Sequence, residues 1–205
     1  MEKKLVGASC LPAVTAGRVP HREVEQVQIE HPNADVEVWC EDEHRIGLQP
    51  INRRIWVEQG EQPLAMVNWK REWLWLYAFV QPQTGETYWW VLPYVNTELF
   101  SRVLKDFAKH FGVGKDKRVV LPLDRAGWHT SEHLDVPEGI HLVFLPPYSP
   151  ELQPAERLWP LVNEPLANEA FETLVEVEEL VYSALSSVAQ TAAVDSRVDL
   201  LSLVA

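Results

Sequence analysis

Cysteine is scarce in this chain, with two residues, Cys10 and Cys40, among 205. They form neither a disulfide framework nor a metal-ligand spacing, and they read as buried free thiols. No apolar run approaches the roughly 18 residues of a membrane span. The opening stretch, MEKKLVGASCLPAVTAGRVPHR, starts basic, but its apolar part is too short and broken for a secretory signal. Residues 1–34 therefore read as a tail or linker, and a cytoplasmic, nucleoid-associated location is expected. Positive charge is also in short supply: 18 Lys and Arg stand against 30 Asp and Glu, a net charge of −12. A free-standing nucleic-acid binder is usually basic, so this balance argues against strong autonomous DNA binding. The shortage is uneven. Arg102, Lys105, Lys109, Lys115, Lys117 and Arg118 lie close together, whereas residues 164–179 carry only acids. One end of the domain is suited to an anion, and the C-terminal helix to water. No internal repeat or low-complexity block is visible.

Apolar residues make up 46% of the chain, which favours a packed globule over disorder. Residues 36–46, VEVWCEDEHRI, alternate as a strand does. Val36, Val38, Cys40, Asp42, His44 and Ile46 share one face, so Asp42 points along an apolar row. Glu41 and Glu43 fall on the other face and read as edge or solvent acids. RRIWVEQGEQP (53–63) reads as a strand followed by a Gly turn. Residues 73–95 read as a hairpin about QPQTGE. The clearest helix spans 96–112, with Asn96 or Thr97 as cap and Gly112 as stop. Short apolar strands are expected at 118–124 and 141–146, then a helix from about Ala155 and another over 169–189. The order β-β-β-α-β-β-α indicates an α/β domain with a mixed sheet over residues 35–190, leaving 191–205 as a divergent tail.

Three acids stand at element ends: Asp42 in the first strand, Asp124 closing a buried strand, and Glu156 opening a helix. Sites in open α/β sheets form at strand ends. Three converging carboxylates without a His or Cys cluster suit a hard cation such as Mg²⁺. Two such ions about 4 Å apart clamp the attacking and leaving oxygens of a phosphoryl displacement. Glu156 is favoured as an anion by its place at a helix N-terminus. For any one of these acids, the plainer reading is a cap or a surface carboxylate.

The stretch FLPPYSPELQPAERLWP (144–160) holds five prolines. Together with CEDEHRIGL and LDRAGWHTS, its core LPPYSPELQPAERLW resembles the three acidic motifs of DDE transposases, in the bacterial insertion-sequence branch of the mariner-like superfamily. The resemblance runs from about residue 35 to about 180. It maps the three catalytic, metal-binding acids onto Asp42, Asp124 and Glu156. It implies an RNase H-like (integrase-like) fold with a five-stranded mixed sheet flanked by helices. It also implies two Mg²⁺ or Mn²⁺ ions and a two-step reaction, DNA phosphodiester cleavage followed by strand transfer. The implied partners are DNA, at the element ends and the target, and a second copy in a homodimer. A separate helix-turn-helix domain would recognise the DNA, because no such pair of helices is found here. Beside the acids, Arg125, His129, Tyr148 and Ser149 are candidates for DNA or phosphate contacts. Each also has a structural reading, as a surface pair, a loop contact or a cap. Two alternatives stand next to the transposase: a truncated remnant acting only through binding, and an RNase H-like nuclease.

Overall fold

The computed structural model describes residues 3–8, 21–61, 64, 66–147, 149 and 152–194, with the backbone alone for 3–8 and 187–194. The elements run β1 (Lys3–Ala8), α1 (His21–Glu30), β2 (Asp35–Val38), β3 (Cys40–Gly47), β4 (Trp73–Val80), β5 (Glu86–Leu92), α2 (Thr97–Phe111), β6 (Lys117–Leu123) and β7 (Ile140–Phe144). A 3-10 turn (Pro154–Leu158), α3 (Trp159–Asn163) and α4 (Leu174–Val194) follow.

The five-stranded sheet expected from the family is divided here. One antiparallel sheet has the order β1-β5-β4-β3, and one parallel sheet has the order β2-β6-β7. The division falls within the run 36–46. Up to Val38 this run pairs with β6. The Trp39 N–H donates to the Val120 carbonyl (3.0 Å), and from Cys40 onward the run pairs with β4. One stretch of chain thus carries both ladders. The segment read as a tail contains β1, which extends the antiparallel edge along β5. The strand expected over 53–63 does not form among the described residues: residues 52–58 lie outside any ladder, and Trp56 is fully solvent-exposed. Without a partner strand, its apolar residues have nothing to pack against.

Period two decides what each sheet face buries. Leu76, Ala78 and Val80 of β4 pack with Cys40 and Ile46 against Leu158, Trp159, Val177, Val181 and Leu185. Tyr77 and Phe79 face the opposite way, toward Trp39, Phe100, Leu104 and Phe107. Phe107 sits within stacking distance of Phe79 (4.5 Å) and edge-on to Trp39 (5.1 Å). Of the tryptophans of β4 and β5, Trp89 is buried in the core, Trp75 and Trp90 pack against it partly buried, and Trp73 is exposed. Asn96 Oδ1 caps α2 by accepting from the Leu99 N–H (2.7 Å), and Gly112 ends the helix at φ 66°. Helix α1 buries Val27 against Val38 and Val120. Cys40 is a buried free thiol pushed up to about 12 by burial, while Cys10 lies outside the described residues.

Candidate active site

Strand parity turns Asp42 and His44 toward the face that α3 covers. The Trp159 indole Nε1 donates to Asp42 Oδ2 (2.8 Å), and its ring stacks on His44 at 4.7 Å and 15°. His44 Nε2 in turn meets Asn163 Oδ1 (2.9 Å). Burial raises Asp42 to about 7; the Trp159 hydrogen bond opposes this, and the charges of Glu156 and Glu43 add to it. Burial also lowers His44. Glu156 is exposed in the first turn after the prolines, with Pro154 at the turn's start. The proline stretch is fastened from within, because buried Gln153 donates from Nε2 to the Glu41 carbonyl (2.7 Å). Gln153 and Trp159 were both missed as site residues. Gln153 lies inside the PELQPAE motif itself, which is the signal that could have marked it.

Asp124 follows the last residue of β6. Its Oδ1 accepts from the Ala126 N–H (2.9 Å) and from His129 Nδ1 (2.8 Å), and its side chain is 60% exposed. The His129 hydrogen bond is the main cause that lowers its pKa. His129 is 2% exposed. Its Nε2 meets Glu43 Oε1 (3.0 Å), an oxygen that also accepts from Trp128 Nε1 (2.7 Å). Burial disfavours the charged ring, but bonds to Asp124 and Glu43 and the charges of Glu41 and Glu43 outweigh it, raising His129 to about 10. Glu41 is fully buried, 3.6 Å from His129 Nε2, and neither of its oxygens has a hydrogen-bond partner among the described residues. Burial first, then Glu43, raises it well above the ordinary carboxylate range.

The parity reading of Glu41 and Glu43 holds, but the solvent reading does not. Glu41 is buried and the Glu43 side chain is 4% exposed, because α2 and the 124–134 loop cover that face of β3. His129 is likewise withdrawn from the role of a phosphate contact, since both ring nitrogens are engaged inside the protein. Among the described residues, Glu41, Glu43 and His129 are the group whose ligand atoms lie within 4.8 Å of one another, rather than Asp42, Asp124 and Glu156. Asp42 and Glu156 are coupled by charge on one side of β3, while Asp124 is bonded into the cluster on the other. Arg125 is exposed, with its guanidinium over the Phe144 ring (5.7 Å). Ser149 Oγ donates to the Pro147 carbonyl (3.4 Å), and Tyr148 lies outside the described residues. In the basic segment, Arg102 pairs with Glu98, Lys105 with Asp135, Lys117 with Glu37 and Arg118 with Glu138. The Arg102 and Lys105 pairs are exposed and contribute about 0–1 kcal/mol each, whereas the Lys117–Glu37 pair is partly buried and Arg118 is buried.

Residues 37–178 match the profile of the DDE superfamily endonucleases. The match covers more than half of the chain, and the chain belongs to that family. An uncharacterized protein of Sinorhizobium fredii (strain NBRC 101917 / NGR234), y4pE/y4sA, is 39% identical over 101 residues, covering 49% of this chain and 73% of that protein. Among solved structures, the Mos1 transposase paired-end complex with left transposon end is similar at a TM-score of 0.52 and 16% identity, over 83% of this chain and 56% of that one. The mariner Mos1 paired end complex with Mg gives 0.54 and 20%, over 74% of this chain and 48% of that one. The fold is therefore the RNase H-like α/β fold of the transposases. The chain spans about half the length of those Mos1 chains.

Proposed function

We propose that this chain is the catalytic domain of a DNA transposase, which cleaves phosphodiesters with divalent metal and transfers the freed strand. The observation that carries the proposal is membership of the DDE endonuclease family over residues 37–178, with Asp42, Asp124 and Glu156 in motif order. Asp42, Asp124 and Glu156 are assigned as the catalytic and metal-binding acids. Their chemistry fits a hard cation: all three offer carboxylate oxygens, and Asp42 carries a repulsion from Glu156 that a bound cation would relieve. Two Mg²⁺ or Mn²⁺ ions supply the Lewis acidity for in-line displacement at phosphorus. The chain's own part is to hold Asp42 through Trp159, to hold Asp124 through His129 and Ala126, and to aim Glu156 from the proline-led turn. The partners are DNA at the element ends and target, a second copy of the chain, and a separate helix-turn-helix domain that supplies most of the DNA affinity, a division of labour that the net charge of −12 supports. Arg125 and Ser149 are its candidate backbone contacts.

The test is nicking of a labelled DNA duplex by the 205-residue chain with MnCl₂ or MgCl₂. Cleavage is expected to stop with EDTA. It is expected to fall by at least about 100-fold in Asp42→Ala, Asp124→Ala and Glu156→Ala, since each removes part of the charge that holds the ions. Undiminished cleavage in any of the three removes that residue from the site. Calorimetric Mn²⁺ binding without cleavage of any DNA favours the binding-only remnant.

A further inference from the structure

Glu43 is the chain neighbour of Asp42, and through one imidazole it is hydrogen-bonded to Asp124. Two acids from different strands are thereby joined by a short series of fixed contacts. Resting on the metal-site reading above, we propose that His129, held by Glu43, is a positioning residue. It orients the Asp124 carboxylate toward the cation and fixes its distance from β3.

Three features support this. First, the two oxygens of Asp124 are treated differently. Oδ1 accepts from both the Ala126 N–H and His129 Nδ1, whereas Oδ2 accepts from no described residue on a side chain that is 60% exposed. One oxygen is occupied in holding the group still, and the other is free to act as a ligand. Second, His129 cannot easily turn. Phe100 of α2 lies against its ring at 4.4 Å, and Nε2 is bonded to Glu43 Oε1. Third, Glu43 is itself fixed, because Trp128 Nε1 donates to the same oxygen and the Trp128 ring meets Trp75 edge-on at 6.5 Å. An exposed Asp at a strand end would otherwise lose rotamer freedom on binding an ion. Groups that fix a ligand in this way commonly affect metal affinity by about 10- to 100-fold.

His129→Asn and His129→Gln separate the two ends of the ring. The Asn amide nitrogen lies near the position of Nδ1 and can still donate to Asp124. The Gln amide nitrogen lies near Nε2 and reaches Glu43 instead. MnCl₂ is titrated calorimetrically into the full chain and its variants, with circular dichroism and thermal unfolding run alongside. His129→Ala is expected to weaken Mn²⁺ binding about 10- to 100-fold. Asn is expected to recover most of that loss, and Gln little of it. Equal recovery by both, or no loss in Ala, overturns the positioning role while leaving the metal site standing. A wild-type chain that binds no Mn²⁺ sinks the metal site itself, before any variant is compared. If the variants do not fold, the wild-type His129 Nδ1–H proton resonance decides: it is expected to be protected from exchange and to shift on addition of MgCl₂. A resonance that does not shift, in a chain that binds Mg²⁺, overturns the proposal.

Discussion

Replacing Trp159 with phenylalanine removes one hydrogen-bond donor from Asp42 and keeps an aromatic ring at the site. The indole N–H reaches Asp42 Oδ2 at 2.8 Å, and the same ring stacks on His44 at 4.7 Å. Asp42 stands at about 7 because burial raises it and the Trp159 bond pulls back. A hydrogen bond to an ionised group contributes about 1.5–3 kcal/mol, and about 1.4 kcal/mol corresponds to one pH unit. Losing the bond therefore raises the protonation midpoint of Asp42 by roughly 1–2 pH units. A cation binds the ionised carboxylate, so Mg²⁺ affinity at pH 7 falls by roughly 5- to 50-fold, and the two proteins converge as pH rises. Calorimetric titration with MgCl₂ between about pH 6 and 9, with DNA nicking over the same range, measures the midpoint. An unchanged pH profile in Trp159→Phe would refute the reasoning. So would a loss of equal size at every pH, because that would make Trp159 a shaping residue and not a donor to a titrating acid.

Stability itself is expected to fall on the alkaline side. His129 is raised to about 10 in the fold, so its contribution is fully present below about 6.5, the unfolded value, and is lost as pH rises through about 10. Buried Glu41, also raised, acts in the same direction, starting from its lower unfolded value. Urea unfolding at pH 6 and pH 10 measures this, and equal midpoints would contradict the buried cluster. In the core, Phe107→Ala is expected to cost about 3–5 kcal/mol, because Trp39, Phe79, Tyr88 and Phe111 all pack on that ring. The same urea assay checks it, and a loss below about 1 kcal/mol would mean that the cluster repacks freely.

Local pattern was enough to read much of this protein. Helix α2 with its Asn96 and Gly112 ends, strands β6 and β7, and the hairpin of β4 and β5 follow from period and capping, which act between near neighbours. The parity of Asp42 against Glu41 and Glu43 follows from the same rule. The segment 53–63 misled because its β-branched and aromatic residues favour a strand only when another strand is there to pair with. The opening residues misled in the opposite sense, since pairing with β5 is invisible in a broken apolar stretch.

The motifs alone determined the family, and they offered Asp42, Asp124 and Glu156, in that order, as the acids proposed for the site. The linear sequence read Glu41 and Glu43 as edge or solvent acids and left His129 between a phosphate contact and a structural one, because side chains that polar are normally exposed. Only the tertiary structure decided otherwise. It brings α2 and the 124–134 loop over one face of β3, where His129 is flanked by Asp124 and Glu43 and close to Glu41, and it seats Trp159 against Asp42 on the other face. These contacts span sequence separations of up to 117 residues. Burial and opposite charge at such distances arise from folding, so no window of sequence contains them.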